Sequence, residues 1–360
     1  MTETKKKGET KNQHYVPQFY QRNFSDDGKT IGTYVIYRNK IICAAPIKNQ
    51  SSGNYFYSEN MNIEKSLGAI ESAAKVVIDK IIDAPYESLS KQDSGTLFVF
   101  TMMQEGRTLT RVNLIQEHTD SLLRRVAKKY FEVLRCNGEN SASEDISNEE
   151  LAHCVFHVTQ PGVLALGSQA QLIETCADLK YKILINRTAL PFITSDNPAA
   201  IYDQFMERMG NKIYALGSRG LQIYLPITPK IGILYYDSQC YKLGDRKKEY
   251  VEIFHYKDIQ ELNKLTVANS ENVIYYMPST FTERNIELMV QKCIKFKPTK
   301  HIDTFPELKT SEGVIFGACN VSIFCHLALS FVKELPQYKA LRPQDYDASK
   351  HRMRNAVIYK

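Results

Sequence analysis

Leu221-Gln222-Ile223-Tyr224-Leu225-Pro226-Ile227-Thr228-Pro229-Lys230-Ile231-Gly232-Ile233-Leu234-Tyr235-Tyr236 is the stretch whose reading decides the fold class. Two runs rich in β-branched and aromatic residues flank a turn marked by Thr228-Pro229, which is how two strands with a short connection read. Upstream, Tyr181-Lys182-Ile183-Leu184-Ile185 and Phe192-Ile193-Thr194 are further strands, the second running into a turn at Asp196-Asn197-Pro198. Downstream, the spacing predicts a helix over 257–269, a strand over 272–276 and a helix over 283–293.

The first half of the chain carries the other period. Ile63, Leu67, Ile70, Ala74, Val77, Ile78 and Ile81 recur three or four apart, one buried face of a helix that Asn62 or Ser58 could cap. A second helix starts after Ser90 and runs towards Tyr130, with a break at Gly106 or near Thr108, since glycine is about 1 kcal/mol worse than alanine inside a helix. Helices are expected again over 149–158 and 168–176, after a polar, acidic loop at 137–149. Before them, Ile31, Thr33, Val35 and Tyr37, then Arg38-Asn39-Lys40 and Ile41-Ile42-Cys43, predict a hairpin.

Helices gathered in the first half and strands in the second point to an α+β fold. The helical first half packs on a mainly antiparallel sheet formed by the N-terminal hairpin and strands of the second half. Residues 1–12 are polar and lysine-rich and are expected to be a disordered tail. A single domain is expected over 13–300, followed by a C-terminal extension over 301–360.

Composition narrows the function classes. With 360 residues and 43% hydrophobic content the chain can bury a large core. Its formal net charge of +6, from 46 basic and 40 acidic residues, permits a nucleic-acid or nucleotide partner without demanding one. Eight cysteines stand with no pair at the two-residue spacing of zinc knuckles and redox motifs. Together with a charged N-terminus that reads as no signal peptide, they predict reduced thiols and a cytoplasmic location. Residues 313–332 lack Asp, Glu, Lys and Arg and are about long enough to cross a bilayer. Asn320, Ser322, His326 and Ser330 interrupt that run, so it reads as a buried helix or strand pair and the chain as one without a membrane partner. The chain has no phosphate-cradling glycine loop, dinucleotide fingerprint or nucleophile elbow.

The most conspicuous string is Gln13-His14-Tyr15-Val16-Pro17-Gln18-Phe19-Tyr20, closing on Asn23-Phe24. Its aromatics can anchor in a core, while Pro17 restricts the backbone and leaves His14 and Gln18 displayed. His14 is a candidate general base or metal ligand, or it ties the N-terminal strand to the core. Asp196 is a candidate carboxylate at a strand end, or the start of an Asx-turn. Gln104 and Arg107 share a helical face in apolar surroundings, where an arginine suits a phosphate, a carboxylate ligand or a structural ion pair. Glu64 and Glu71, seven apart, also share a face. His153 and His157 stand four apart, a spacing that brings two imidazoles to one metal on a helix, although a structural role is the commoner outcome.

The N-terminal run and Phe192-Ile193-Thr194-Ser195-Asp196-Asn197-Pro198 together resemble the paired signatures of the domain of unknown function 4238 family. Gln104 with Arg107-Thr108 is similar to that family's Gln-x-x-Arg-Thr element, and Leu225-Pro226-Ile227-Thr228-Pro229 follows in order, so the resemblance covers roughly residues 13 to 280. Gln21, Leu109 and Ala199 depart from its usual residues without removing a polar candidate. The kind of protein it resembles implies a bacterial defence or toxin setting.

Three readings follow. In the first, His14, Asp196 and Glu71 are catalytic and Gln18, Gln104, Arg107 and Asn197 bind substrate in a nuclease or other phosphate-directed hydrolase, with a divalent metal allowed. In the second, the same groups bind a nucleotide or a partner without catalysis. In the third, the signatures are architectural. Metal dependence and oligomeric state are not written in the chain.

Overall fold

The computed structural model describes residues 12–57, 61–136, 147–211, 213–310, 313–351 and 353–354. The expected N-terminal tail therefore lies outside the described residues except for Asn12. So does the expected loop from 137 to 146, and so does Ser58 as a cap.

The runs that decide the fold form adjacent antiparallel strands, Leu221–Pro226 and Ile231–Tyr236, with Gln222 opposite Tyr236 and Pro226 opposite Gly232. They are the fourth and third strands of a five-stranded sheet ordered Tyr250–Ile253, Lys180–Asn186, Ile231–Tyr236, Leu221–Pro226, Ala200–Asp203. Only the first of these pairings is parallel. Every residue of the two central strands is buried, because both faces of the sheet are covered. Ile223, Leu225, Ile233 and Tyr235 face a core with Ala74, Ile78, Leu97 and Phe100 of the N-terminal helices. Tyr224, Leu234 and Tyr236 face a second core with Ile259, Leu262 and Leu265. The strict period of two thus sorts alternate residues into two different cores.

The α+β expectation holds, with the strands divided between sheets. The hairpin Thr30–Val35 and Lys40–Pro46 joins Val273–Tyr276 and Thr194–Ser195 in a separate, fully antiparallel four-stranded sheet. The helices are Met61–Asp83, Lys91–Gly106 and Leu109–Cys136, with Ser90 capping the second through the Asp93 N–H. The break falls at Arg107 and Thr108, and Gly106 sits where an added Cβ would lie 2.3 Å from the Gln169 Cβ, so the glycine lets two helices approach.

Three local expectations are corrected. The helix expected over 149–158 stops at His153, leaving His153 and His157 exposed and no longer one helical turn apart. The helix expected over 168–176 begins earlier, at Pro161, whose fixed φ suits a first helical position, and tightens to a 3-10 turn from Ile173. Residues 313–332 form neither a buried helix nor one strand pair. Two short strands, Gly313–Ile315 and Ala318–Asn320, pair with Leu308–Thr310 and Ile302–Thr304, and the chain then crosses the body as an irregular strap. Side chains replace the missing ladder: Tyr214 Oη accepts from the Ile323 N–H, Tyr202 Oη from Leu327, Glu261 from Ala328 and Asp258 from Ser330. Ile323, Cys325, Leu327 and Leu329 fill the second core between these bonds. No helix among the described residues is long and apolar enough to cross a membrane.

Candidate functional site

The N-terminal run is held by its backbone. Asn12–His14 pairs antiparallel with Ser52–Asn54, and Val16, Tyr20 and Phe24 are wholly buried. Arg107, 2% exposed, ion-pairs with Glu71 at 2.7 Å, and its Nε donates to the Tyr15 carbonyl at 2.9 Å. Gln104 Nε2 donates to the same carbonyl at 2.8 Å, and Tyr57 N–H donates to Gln13 Oε1 at 2.8 Å. The Gln-x-x-Arg spacing thus places two donors on one helical face, over one carbonyl oxygen.

His14 is half-buried beside this clamp, its Nε2 3.2 Å from the Lys48 carbonyl and 3.3 Å from Gln18 Nε2. Burial lowers its pKa against the opposing pull of the Lys48 carbonyl and Glu71. Gln18 in turn accepts from Arg22 at 3.1 Å. Burial raises the pKa of Glu64, helped by the charge of Glu71. His14, Glu64, Glu71, Gln104 and Arg107 therefore share one neighbourhood.

Asp196 belongs to another. Its oxygens accept the backbone N–H groups of Glu271 and Asn272 at 2.8 Å and of Val273 at 2.9 Å. Burial holds its carboxyl up at about 6 despite these donors. Asn197 Nδ2 donates to the Asn269 carbonyl at 2.9 Å, while its buried Oδ1 has no partner among the described residues. The two segments meet at Tyr20, whose phenol lies 2.8 Å from Thr194 Oγ1 and donates to the Pro226 carbonyl at 2.5 Å. No hydrogen bond or ion pair joins His14 to Asp196 among the described residues.

Behind Asp196 lies a cavity of about 470 Å³ that sequence reasoning did not anticipate. It is bounded by the Glu105 turn, the N-terminal end of Leu109–Cys136, the last turn of Tyr256–Asn269, the 213–217 loop and residues 297–301 and 318–323. Leu114, Leu172, Ile201, Leu216 and Val321 give it apolar walls. Its charged lining is Arg111, Lys297 and Lys300 against Glu105 and Glu271, with His118 and His301 beside them. Arg111 pairs with one oxygen of Glu105, and burial brings its pKa down to about 10. The other oxygen of Glu105 and the Thr108 hydroxyl are buried without partners among the described residues. Lys297 donates to the Ser270 carbonyl.

His301 is held between two carboxylates, Nδ1 2.5 Å from Glu117 and Nε2 3.1 Å from Glu271. The hydrogen bond to Glu271, aided by that to Glu117, raises its pKa against burial. Burial pushes Glu271 up, but His301, Thr110 and Lys297 together hold the carboxyl below its ordinary range. Asn113 also donates to Glu271, at 2.9 Å. Among the described residues no cluster of three His, Cys, Asp or Glu side chains has the arrangement to hold a metal ion.

A carbonyl clamp on the N-terminal strand, a carboxylate gathering three N–H groups at a strand end and a cation-lined cavity behind them define an α+β protein organised around its N-terminal run. The chain belongs to the family described as protein of unknown function (DUF4238), whose model matches residues 12–280. No curated protein and no solved structure matches it. Of the cavity wall, residues 297–323 fall outside the family span.

Proposed function

We propose that the chain is a phosphate-directed protein that binds a nucleotide-sized anion in the cavity behind Asp196. The observation that carries this reading is the charge of the lining: Arg111, Lys297 and Lys300 exceed Glu105 and Glu271, and His301, with its pKa raised, adds to that side. The N-terminal end of a long helix also opens on the cavity, where its partial positive charge favours an anion. Apolar walls suit a base and sugar, and the volume falls within the roughly 300–1,000 Å³ of small-molecule sites. A nuclease or other phosphate-directed hydrolase would use the same binding chemistry.

Calorimetric titration with a nucleoside monophosphate, the matching nucleoside and inorganic phosphate tests it. The monophosphate should bind at least about tenfold tighter than the nucleoside, a gap of ~1.4 kcal/mol. Lys297→Ala should narrow that gap. Equal affinity for both, or none for either, would overturn the reading.

The cluster of His14, Glu64, Glu71 and Arg107 supports a second reading, a catalytic site beside the Tyr15 carbonyl. Against it stands the occupancy of Arg107, whose guanidinium is already used by Glu71 and the backbone of the N-terminal run. Hydrolysis of a labelled nucleic acid or nucleotide that is lost in His14→Ala, with the cavity lysines intact, would favour it.

A further inference from the structure

The cavity holds two imidazoles whose hydrogen bonds fit them for different roles in proton transfer. His118 Nε2 lies 3.2 Å from Asn320 Oδ1, so in the tautomer that donates there the ring's lone pair is on Nδ1. Both nitrogens of His301 face carboxylates, so both donate and the ring is an imidazolium. The rings belong to one wall. Asn320 pairs with Ile302 across a two-stranded ribbon, the Val321 N–H donates to the His301 carbonyl at 2.8 Å, and His118 follows Glu117, the partner of His301, along the long helix. A ring that can accept at Nδ1 and a ring that donates at both nitrogens, beside Arg111, Lys297 and Lys300, are the parts needed for proton transfer on both sides of a phosphorus.

Resting on the phosphate reading of this cavity, the geometry points to cleavage of an RNA phosphodiester by transesterification, with His118 as the base and His301 as the acid. His118 Nδ1 takes the proton of the ribose 2′-hydroxyl, and the 2′-oxygen forms a bond to phosphorus. The bond from phosphorus to the 5′-oxygen breaks, and His301 Nε2 gives that oxygen its proton. The products are a 2′,3′-cyclic phosphate and a free 5′-hydroxyl, so no water is consumed and no electron changes hands. The 3.1 Å contact to Glu271 is the one the leaving oxygen displaces, while Glu117 keeps Nδ1–H fixed. Lys300, exposed at the rim, lets the strand cross the opening. Lys297 and Arg111 face the charge that grows on the phosphoryl oxygens. Because one side chain takes the first proton and another gives the second, the step proceeds in a chelator.

The test uses a labelled single-stranded RNA oligonucleotide, its all-2′-deoxy counterpart and its 2′-O-methyl counterpart, in EDTA. The full-length wild-type chain should cut the RNA to 2′,3′-cyclic phosphate ends, leave the other two intact, and bind the 2′-O-methyl strand. His118→Ala and His301→Ala should each slow cleavage by at least ~100-fold. The identity of the wild-type product keeps the inference exposed even if a variant folds poorly. Binding of the 2′-O-methyl strand without RNA cleavage, or cleavage that yields 3′-hydroxyl ends or survives both substitutions, overturns the inference and leaves the phosphate reading standing. Neither binding nor cleavage overturns both.

Discussion

His301 Nε2 lies 3.1 Å from Glu271 Oε2, joining a residue beyond the family span to the segment that caps Asp196. Glu117 holds the other ring nitrogen from the long helix. Three stretches far apart in sequence are thereby fixed around one side of the cavity.

That contact is pH-dependent with a definite sign. His301 is raised above its ordinary 6.5, so its contribution is fully present below that value and is lost as pH rises through the folded value. Glu271 is lowered below 4.5, so its contribution is lost only as pH falls through the folded value. Glu105, Arg111, His118, Lys297 and Lys300 line the same cavity, and Asp303 pairs with Lys300. Urea denaturation of wild type and His301→Ala should show their largest difference, about 1–2 kcal/mol, at roughly pH 5 to 6 and a smaller one at pH 9. A gap independent of pH would refute the ion pair.

Arg107→Ala should destabilise by about 2–4 kcal/mol, less than a fully buried pair because Glu71 keeps 27% exposure. The substitution removes one of two donors from the Tyr15 carbonyl and strands Glu71. Arg107→Lys should recover little, since one ammonium cannot reach both the carboxylate and the carbonyl in the same geometry. Denaturant midpoints measure both variants.

Asp196→Asn should cost about 2–3 kcal/mol, since its Oδ2 serves two of three N–H donors and an amide would present hydrogens to them. Hydrogen exchange of the Asn272 and Val273 amides reads the loss directly, and unchanged protection would contradict it.

How much of this was legible in the sequence depends on distance. The period of two in 221–236 and the period of 3.6 in 63–81 are local, and so were the break beside Gly106 and the hairpin near Asn39. The contact of the N-terminal run with the Thr194–Ser195 strand falls at Tyr20 and Thr194, not at His14 and Asp196 where the sequence reading looked for it, because Tyr20 is a wholly buried aromatic of that run while Asp196 is turned to the 271–273 backbone. The cavity was not legible. Arg111, Glu271 and His301 stand at unrelated points of the chain, and a lone His301 in a polar stretch carries no periodic signal. Residues 313–332 did advertise themselves by lacking charge, but their partners are side chains such as Asp258 and Glu261, which no hydrophobic pattern names.

Arg354 shows the same limit at the C-terminal end. It is 1% exposed, pairs with Asp178 at 2.9 Å and donates to the carbonyls of Leu216 at 2.7 Å and Ser218 at 3.0 Å, and to that of Thr175. Thr175 and Leu216 line the cavity, so Arg354 braces its wall from behind. Arg354→Ala should lower stability by about 2–4 kcal/mol and weaken nucleotide affinity as well. Thermal unfolding followed by titration separates the two, and intact affinity would detach the C-terminal segment from the site.

The central claim is that a phosphate-bearing ligand enters the cavity beside His118 and His301. Histidine ring resonances observed by nuclear magnetic resonance during titration with a nucleoside monophosphate test it most directly. His118 and His301 should shift saturably, and only at higher ligand concentration in Lys297→Ala, with His153 and His326 unmoved. Shifts confined to His14, or none at all, would contradict it.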